Sequence, residues 1–368
     1  MNHLPTRPAT RFAALAATLV LALPLTSSPL AAATAVAAAA AEPAAPAAPA
    51  KWTTRVFSRV PAPGYPAYVH AHTNGRVYAG TYVNGSATGV PSRVFEWTRG
   101  GQLLRSWPVP GQVLDGSQGV QVAQQTRDGR LVVLETSRRR LLTLDVRTGR
   151  WKRIATFPDG SVPNYATWGP RGELYVSDYA RPVVWRVPPG GGTPRAWFTA
   201  PALNGTELGT TGLVYRPGRR DLVIAQQWVL DGTQLPTTGA VLSLGVRPDG
   251  RPGKLRTLWR SGPMELPDGF GIGRSGHLYV ALLGTNQLVE LTGRGVEVDR
   301  FPDVPLLGSN GSAVPFDAPC SATFLGTSVL VANQSAITGT AANQAILRVE
   351  VGERGRRPYL PRQARLGG

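Results

Sequence analysis

The sequence predicts an all-β fold made of six similar units, and two observations support this prediction. The segments Pro163–Val176 and Pro267–Val280 share one pattern, in which Pro and a short polar residue lead through an alternating stretch to a Gly turn and Leu-Tyr-Val. The chain also contains 43 Gly and 33 Pro, and long helical patterns are missing after its N-terminal region. Repeats of this kind are typical of β-propellers, so we predict a six-bladed β-propeller with four-stranded blades.

Each predicted blade begins at an anchor residue that opens an alternating strand. A Gly-containing turn follows, then a more apolar strand such as Leu131–Val133, and then two further strands such as Val183–Val187 and Ala196–Phe198. An open ring would leave unpaired strand edges, so residues 52–60 are expected to pair beside residues 346–351 as the outer strand of the last blade. The anchors assigned from the pattern are Ala67, Gln118, Asn164, Thr211, Asp268 and Cys320.

The two ends of the chain differ from the repeat. Residues 1–41 combine Arg7 and Arg11 with an apolar run and small residues, which is typical of a secretory signal peptide. Residues 42–51 are an Ala/Pro linker, residues 52–352 form the propeller, and residues 353–368 are expected to be a basic, disordered tail. The mature protein is therefore predicted to be secreted, and to be a monomer.

Composition narrows the classes of partner. The net charge is +17, but the arginines are spread over many turns without interleaved aromatic residues, so no nucleic-acid groove is predicted. Solvated turns explain most of this charge, and weak contact with an anionic cell-wall or membrane surface remains an alternative. A small molecule in the central channel is the expected partner.

The segment from Pro267-Asp268-Gly269 to Gly276-His277-Leu278-Tyr279-Val280-Ala281 resembles the senescence marker protein/gluconolactonase/luciferin-regenerating-enzyme-like family. The six-blade rhythm extends this resemblance over nearly the whole mature chain. NHL-repeat and strictosidine-synthase-like propellers share the rhythm and remain alternatives. The resemblance implies a six-bladed propeller with a divalent cation, calcium or zinc, held by oxygen ligands from four blades.

The implied ligand set is only partly present. The resemblance places metal ligands at Asn164 and Asp268, and Thr211 stands where the family has a second Asn. The first-blade position falls near Gly64–Ala67, which offers no carboxylate. Since calcium affinity follows ligand number and charge, this set predicts weak binding. Asp115, Glu207 and Asp317 lie near other anchors and are further candidate oxygen ligands.

Three other motifs have ordinary structural explanations. Gly271–Gly276 matches a dinucleotide fingerprint, but a strand follows where a helix should begin, so no cofactor-binding site is predicted. His70 and His72 share a strand face without a third clustered ligand, and are expected to pack or hydrogen-bond between blades. Cys320 is expected to pack in the channel.

Two functions follow from these residues. The first is a lactonase-type hydrolase of lactones or small esters, with Asp268 as the catalytic residue and a divalent cation at Asn164, Asp268 and Thr211. The second is a non-catalytic extracytoplasmic propeller that binds a small molecule, glycan or protein and keeps only a degenerate metal site. The sequence leaves open whether the protein is an enzyme.

Overall fold

The computed structural model describes residues 49–82, 89–205, 208–229 and 238–367. The predicted signal peptide and most of the linker lie outside these residues. All strands belong to one compact unit, Ala50–Gly368. Within the described residues, no helix is long and apolar enough to cross a membrane.

In the part of the chain that the structure describes, 24 strands form six four-stranded antiparallel sheets, which confirms the predicted all-β, six-bladed propeller. The first three blades follow one another along the chain. They consist of β2 (Pro66–Ala71), β3 (Val77–Thr81), β4 (Arg93–Trp97) and β5 (Leu103–Pro108); β6 (Val120–Gln125), β7 (Leu131–Glu135), β8 (Arg140–Asp145) and β9 (Arg150–Thr156); and β10 (Pro163–Trp168), β11 (Leu174–Asp178), β12 (Val183–Val187) and β13 (Arg195–Thr199).

The last three blades complete the ring. They consist of β14 (Thr210–Arg216), β15 (Asp221–Gln226), β16 (Thr238–Val246) and β17 (Pro252–Pro263); β18 (Pro267–Ile272), β19 (Leu278–Leu282), β20 (Gln287–Leu291) and β21 (Glu297–Phe301); and β22 (Pro319–Leu325), β23 (Ser328–Asn333), β24 (Ala345–Glu350) and β1 (Thr54–Arg59). The described helices are two short 3-10 turns, Pro201–Leu203 and Ala341–Asn343.

The N-terminal strand closes the ring, as the sequence predicts. β1 pairs with β24 in antiparallel register, with Thr54 opposite Val349 and Arg59 opposite Ala345. The inner strand β22 also contacts the inner strand β2 of the first blade. Closure buries the apolar faces of neighbouring blades against one another, and it completes the last blade with a fourth strand.

The inner strands give the ring two distinct ends. We call the end where β2, β6, β10, β14, β18 and β22 begin the anchor end, and the end where they finish the strap end. Because consecutive hairpin turns alternate between ends, the turns after the first and third strands of each blade lie at the strap end. The turns after the second strands, and the connections between blades, lie at the anchor end.

The C-terminal segment is ordered, in contrast to the disorder that its basic composition predicts. Residues 353–367, here called the strap, run across the ends of several blades. Arg356 N donates to Ile272 O (2.8 Å) and Arg127 N donates to Ala364 O (2.7 Å). Ala364 and Leu366 are fully buried in the same core cluster as Trp168. A few apolar residues between the arginines are enough to hold the strap on the ring, because side chains of the propeller core pack against them.

Candidate functional site

The second residue of each inner strand lies at the anchor end, around the centre of the ring. In every blade the pairing register shifts close to this position, as at a β-bulge. The register corrects one predicted anchor, because Gln118 precedes β6 and Gln121 takes the equivalent place. These anchor positions are Ala67, Gln121, Asn164, Thr211, Asp268 and Cys320.

Asp268 is the carboxylate among the anchor positions, and side chains from two other blades hold it. The Tyr68 hydroxyl donates to Oδ1 (2.7 Å), and the Gln227 amide donates to Oδ2 (2.9 Å). Tyr179 in turn donates to Oε1 of Gln227 (2.7 Å). Asp268 is 5% exposed, and its burial raises the pKa of this carboxyl to about 7 although its hydrogen bonds favour the charged form. The group can therefore gain and lose a proton near neutral pH.

Two further tyrosines belong to the same region of the anchor end as Tyr68. The ring of Tyr68 stacks on that of Tyr165, with centroids 4.3 Å apart. Tyr165 is only half-buried, and its hydroxyl makes no hydrogen bond to the residues that the structure describes. The hydroxyl of Tyr82 accepts a bond from the Gln121 amide (3.1 Å) and keeps its own proton available. Burial raises the pKa of both Tyr82 and Tyr165, so both remain protonated donors.

The three predicted metal ligands have different surroundings. Asn164 is buried, and its Oδ1 has no hydrogen-bond partner, as expected of an oxygen that awaits a donor or a cation. The Thr211 hydroxyl faces the carbonyl oxygens of Ala225 (3.4 Å) and Pro267 (3.3 Å), and it also hydrogen-bonds to the Asp268 carboxyl. Asn164 thus offers a free oxygen, whereas the Thr211 hydroxyl is engaged with the backbone and with Asp268. One carboxylate supplies little charge for calcium.

The other candidate oxygen ligands do not add to this set. Asp115 is exposed and accepts bonds from Ser117. Asp317 is buried, but Ser335, Thr338 and Asn343 all donate to its Oδ2. Glu207 lies outside the described residues.

The sequence did not single out Tyr68, Tyr165 or Gln227 as site residues. Tyr68 and Tyr165 directly follow the anchors Ala67 and Asn164, so two aromatic residues at the same offset from their anchors were the available signal. Gln227 follows the end of β15, and no repeat pattern marks that position. Its contact with Asp268 depends on the spacing of two blades.

The histidines and the cysteine have structural roles. His70 lies 3.3 Å from Gln125 Oε1 and His72 lies 3.1 Å from Gly129 O, which confirms the expected bonds between blades. Burial lowers the pKa of His70 to about 3, so it is neutral. Cys320 is buried with its Sγ 3.4 Å from Pro66 O, and burial raises its thiol pKa well above the usual value. A neutral thiol of this kind is a poor nucleophile.

Gly269 makes room for Tyr68, and this yields a test of the packing around Asp268. A Cβ at Gly269 would lie 2.6 Å from Tyr68 Cε1 and 2.9 Å from Cys320 O. We expect Gly269→Ala to lower the free energy of unfolding by about 1–3 kcal/mol, as overpacking does. The matched control is Gly218→Ala, whose Cβ would meet nothing within 4 Å. Urea denaturation of both variants, showing equal stability, would contradict this packing.

A second cluster lies at the strap end, away from the anchor positions. Among the described residues, His277, Glu290 and Glu353 bring potential ligand atoms within 4.8 Å of one another. Their oxygens already have partners, since Lys51 Nζ lies 2.5 Å from Glu290 Oε2 and the Tyr279 hydroxyl donates to Glu353 Oε1 (3.0 Å). The cluster is thus a connected polar network that ties the strap to the fifth blade.

Together, these features define a six-bladed propeller with a polar site at one end of its central axis. No protein-family model matches the sequence, and no curated protein matches it. The fold is that of regucalcin-like and gluconolactonase propellers, which confirms the resemblance at the level of structure.

Three solved structures illustrate this. A calcium-binding regucalcin from Agrobacterium tumefaciens has a TM-score of 0.57 and 15% identity, over 81% of this chain and 93% of that one. A gluconolactonase from Xanthomonas campestris has a TM-score of 0.55 and 15% identity, over 82% and 88%. A luciferin-regenerating enzyme has a TM-score of 0.56 and 15% identity, over 81% and 95%. At such identity the likeness is one of fold.

Proposed function

We propose that the anchor end is the active site of a hydrolase acting on lactones or small esters. The observation that carries the proposal is the buried Asp268 carboxyl, held by Tyr68 and Gln227, with a pKa of about 7. An acid–base catalyst works best when its pKa lies near the working pH. The gluconolactonase and regucalcin-like folds among its structural neighbours support the same reaction class.

Asp268 would act as the group that moves the proton. Its carboxylate accepts a proton from water as the water oxygen bonds to the ester carbonyl carbon. When the carbon–oxygen bond to the leaving group breaks, Asp268 returns that proton to the leaving oxygen, and the product is a hydroxy acid or an acid and an alcohol. The free hydroxyl protons of Tyr82 and Tyr165 are suited to stabilise negative charge on the carbonyl oxygen.

A divalent cation, calcium or zinc, is part of what must be tested. Asn164, through its unpartnered Oδ1, and Asp268 are the residues that would hold it. A bound cation would polarise the substrate carbonyl as a Lewis acid. Because one carboxylate and one amide bind such an ion weakly, we expect any dependence on metal to appear only at high concentrations of the ion.

The experiment is a hydrolysis assay of the unit 50–368 with γ- and δ-lactones and 4-nitrophenyl esters, with EDTA or with added calcium or zinc. We expect Asp268→Asn to lower kcat/KM by about 10²–10⁴-fold, the usual contribution of a general base. In the wild type, kcat/KM should rise as the pH rises through about 7, because the base must be ionised. Asp303→Asn, which alters an exposed carboxylate, is the matched control.

The second candidate function is a non-catalytic binding protein. The hydrogen bonds that Asp268 already accepts from Tyr68 and Gln227 favour this candidate, since a fully held carboxylate can serve for recognition alone. Equal hydrolysis by the wild type and Asp268→Asn, or no hydrolysis by either, would reject the hydrolase.

We also infer that the propeller is exported, on the pattern of residues 1–41; N-terminal sequencing of the mature protein tests this.

A further inference from the structure

The exposed charge of the molecule is distributed unevenly between its two ends. At the strap end, the turns of successive blades each carry exposed arginines. The strap adds Arg354, Arg356, Arg357, Arg362 and Arg365, and all five of these are exposed. Arginines in the turns include Arg99, Arg127, Arg171, Arg219, Arg247 and Arg274.

Acidic side chains do little to offset this charge at the strap end. Several are buried within the blades, among them Glu96, Glu173 and Glu350. The exposed carboxylates in the described turns of this end are Asp128 and Asp249, and each pairs with an arginine of its own turn. The solvent-facing potential of the strap end is therefore strongly positive.

The anchor end carries little net charge. Asp115, Asp159 and Asp303 are exposed in its described connections, together with Arg138 and the partly exposed Arg139 and Arg181. Arg139 pairs with Asp159. The protein thus carries a dipole along the ring axis. An extended anionic surface would orient such a molecule with its strap end inward and its anchor end outward.

We propose that the strap end docks on the surface of an anionic lipid bilayer, so that the site at Asp268 faces away from it. Three features favour a bilayer. The arginines are spread over the turns of many blades rather than along one track, which matches a planar array of phosphates. Guanidinium groups bind phosphate in bidentate fashion. The strap end also lacks exposed aromatic residues among its described turns, so base stacking has no platform there.

The strap holds its arginines in place. Ala364 and Leu366 point inward and are fully buried, while Arg362 and Arg365 are exposed beside them. The backbone of the strap is tied to the second and third blades by the hydrogen bonds from Arg127 N to Ala364 O (2.7 Å) and from Gly367 N to Gly190 O (2.7 Å). Arginines on an ordered segment lose less conformational entropy on docking than arginines on a flexible tail would.

The test is sedimentation of the unit 50–368 with vesicles of phosphatidylglycerol and phosphatidylcholine, and with vesicles of phosphatidylcholine alone. We expect binding to the anionic vesicles that weakens steeply as salt is raised. Arg357→Gln/Arg362→Gln/Arg365→Gln should lower the partition coefficient by on the order of a hundredfold, since each arginine near such a surface contributes about fivefold.

The matched control removes the same charge elsewhere. Arg153→Gln/Arg256→Gln/Arg260→Gln changes three exposed arginines on the outer strands β9 and β17, and should reduce binding only a few-fold. Thermal unfolding monitors the folding of both variants. Equal losses in the two variants, equal binding to neutral vesicles, or binding to soluble polyphosphate without binding to vesicles would each overturn the proposal.

Discussion

Asp268→Asn is expected to become more stable relative to the wild type as the pH rises from 4 to 8. Burial raises the pKa of Asp268 from 3.8 to about 7. Between these values the unfolded chain releases the proton while the folded protein retains it, so ionisation favours unfolding. The wild type has the full contribution of this carboxyl below about pH 4 and loses it as the pH rises through about 7. A pKa shift of this size corresponds to a change of roughly 4 kcal/mol in the free energy of unfolding. Asparagine does not ionise, so the variant lacks this pH dependence.

The measurement is urea denaturation of both proteins at pH 4, 5.5 and 8, because differences in packing cancel when the two stability curves are compared across pH. Asp303→Asn, at an exposed site, should show no such divergence. Repeating the series with calcium or zinc tests the cation as well, since a bound cation would lower the pKa of Asp268 and flatten the curve. A constant difference between wild type and Asp268→Asn at all three pH values would refute the buried titration.

Removal of the strap is expected to cause a large loss of stability. A chain that ends at Gly352 loses the buried side chains of Ala364 and Leu366 and the contact between Tyr359 and Tyr215, whose rings lie 5.2 Å apart. Leu366→Ala alone should lower the free energy of unfolding by about 2–5 kcal/mol, as at other fully buried leucines. The truncation should exceed that value.

The neighbouring residue supplies the control for the strap. Arg365 is exposed, so Arg365→Ala should change the stability by less than about 0.5 kcal/mol. Thermal and urea unfolding of the three variants would establish the order truncation, Leu366→Ala, Arg365→Ala. If the truncated chain unfolds at the same midpoint as the wild type, the strap does not stabilise the ring.

Sequence reasoning succeeded where one blade repeats the next. The phased Gly turns and apolar strands placed the blades, and the pattern of residues 52–60 identified the closing strand. It missed by three residues at the second anchor, where Gln121 and not Gln118 holds the position, because a local motif does not reveal the register between β6 and β7. It also predicted disorder in the strap, since its apolar residues are too few to form a core by themselves.

The candidate site was likewise predicted from the sequence only in part. Asn164, Thr211 and Asp268 could be named from the repeat, because each opens an inner strand. The contacts that give Asp268 its chemistry come from Tyr68 and Gln227, about forty residues or more away in sequence on other blades. Spacing along the chain does not predict which side chains of different blades will meet across a closed ring.

The sequence by itself determined the blade count, the closing strand and five of the six anchor residues, because these depend on a pattern that repeats along the chain. Only the tertiary structure decided which side chains hold Asp268, where the strap lies, and how the charge is distributed. The arginines are scattered over turns in the sequence. Alternating hairpins bring alternate turns to the same end of the ring, so a dispersed composition becomes one basic face opposite the candidate site.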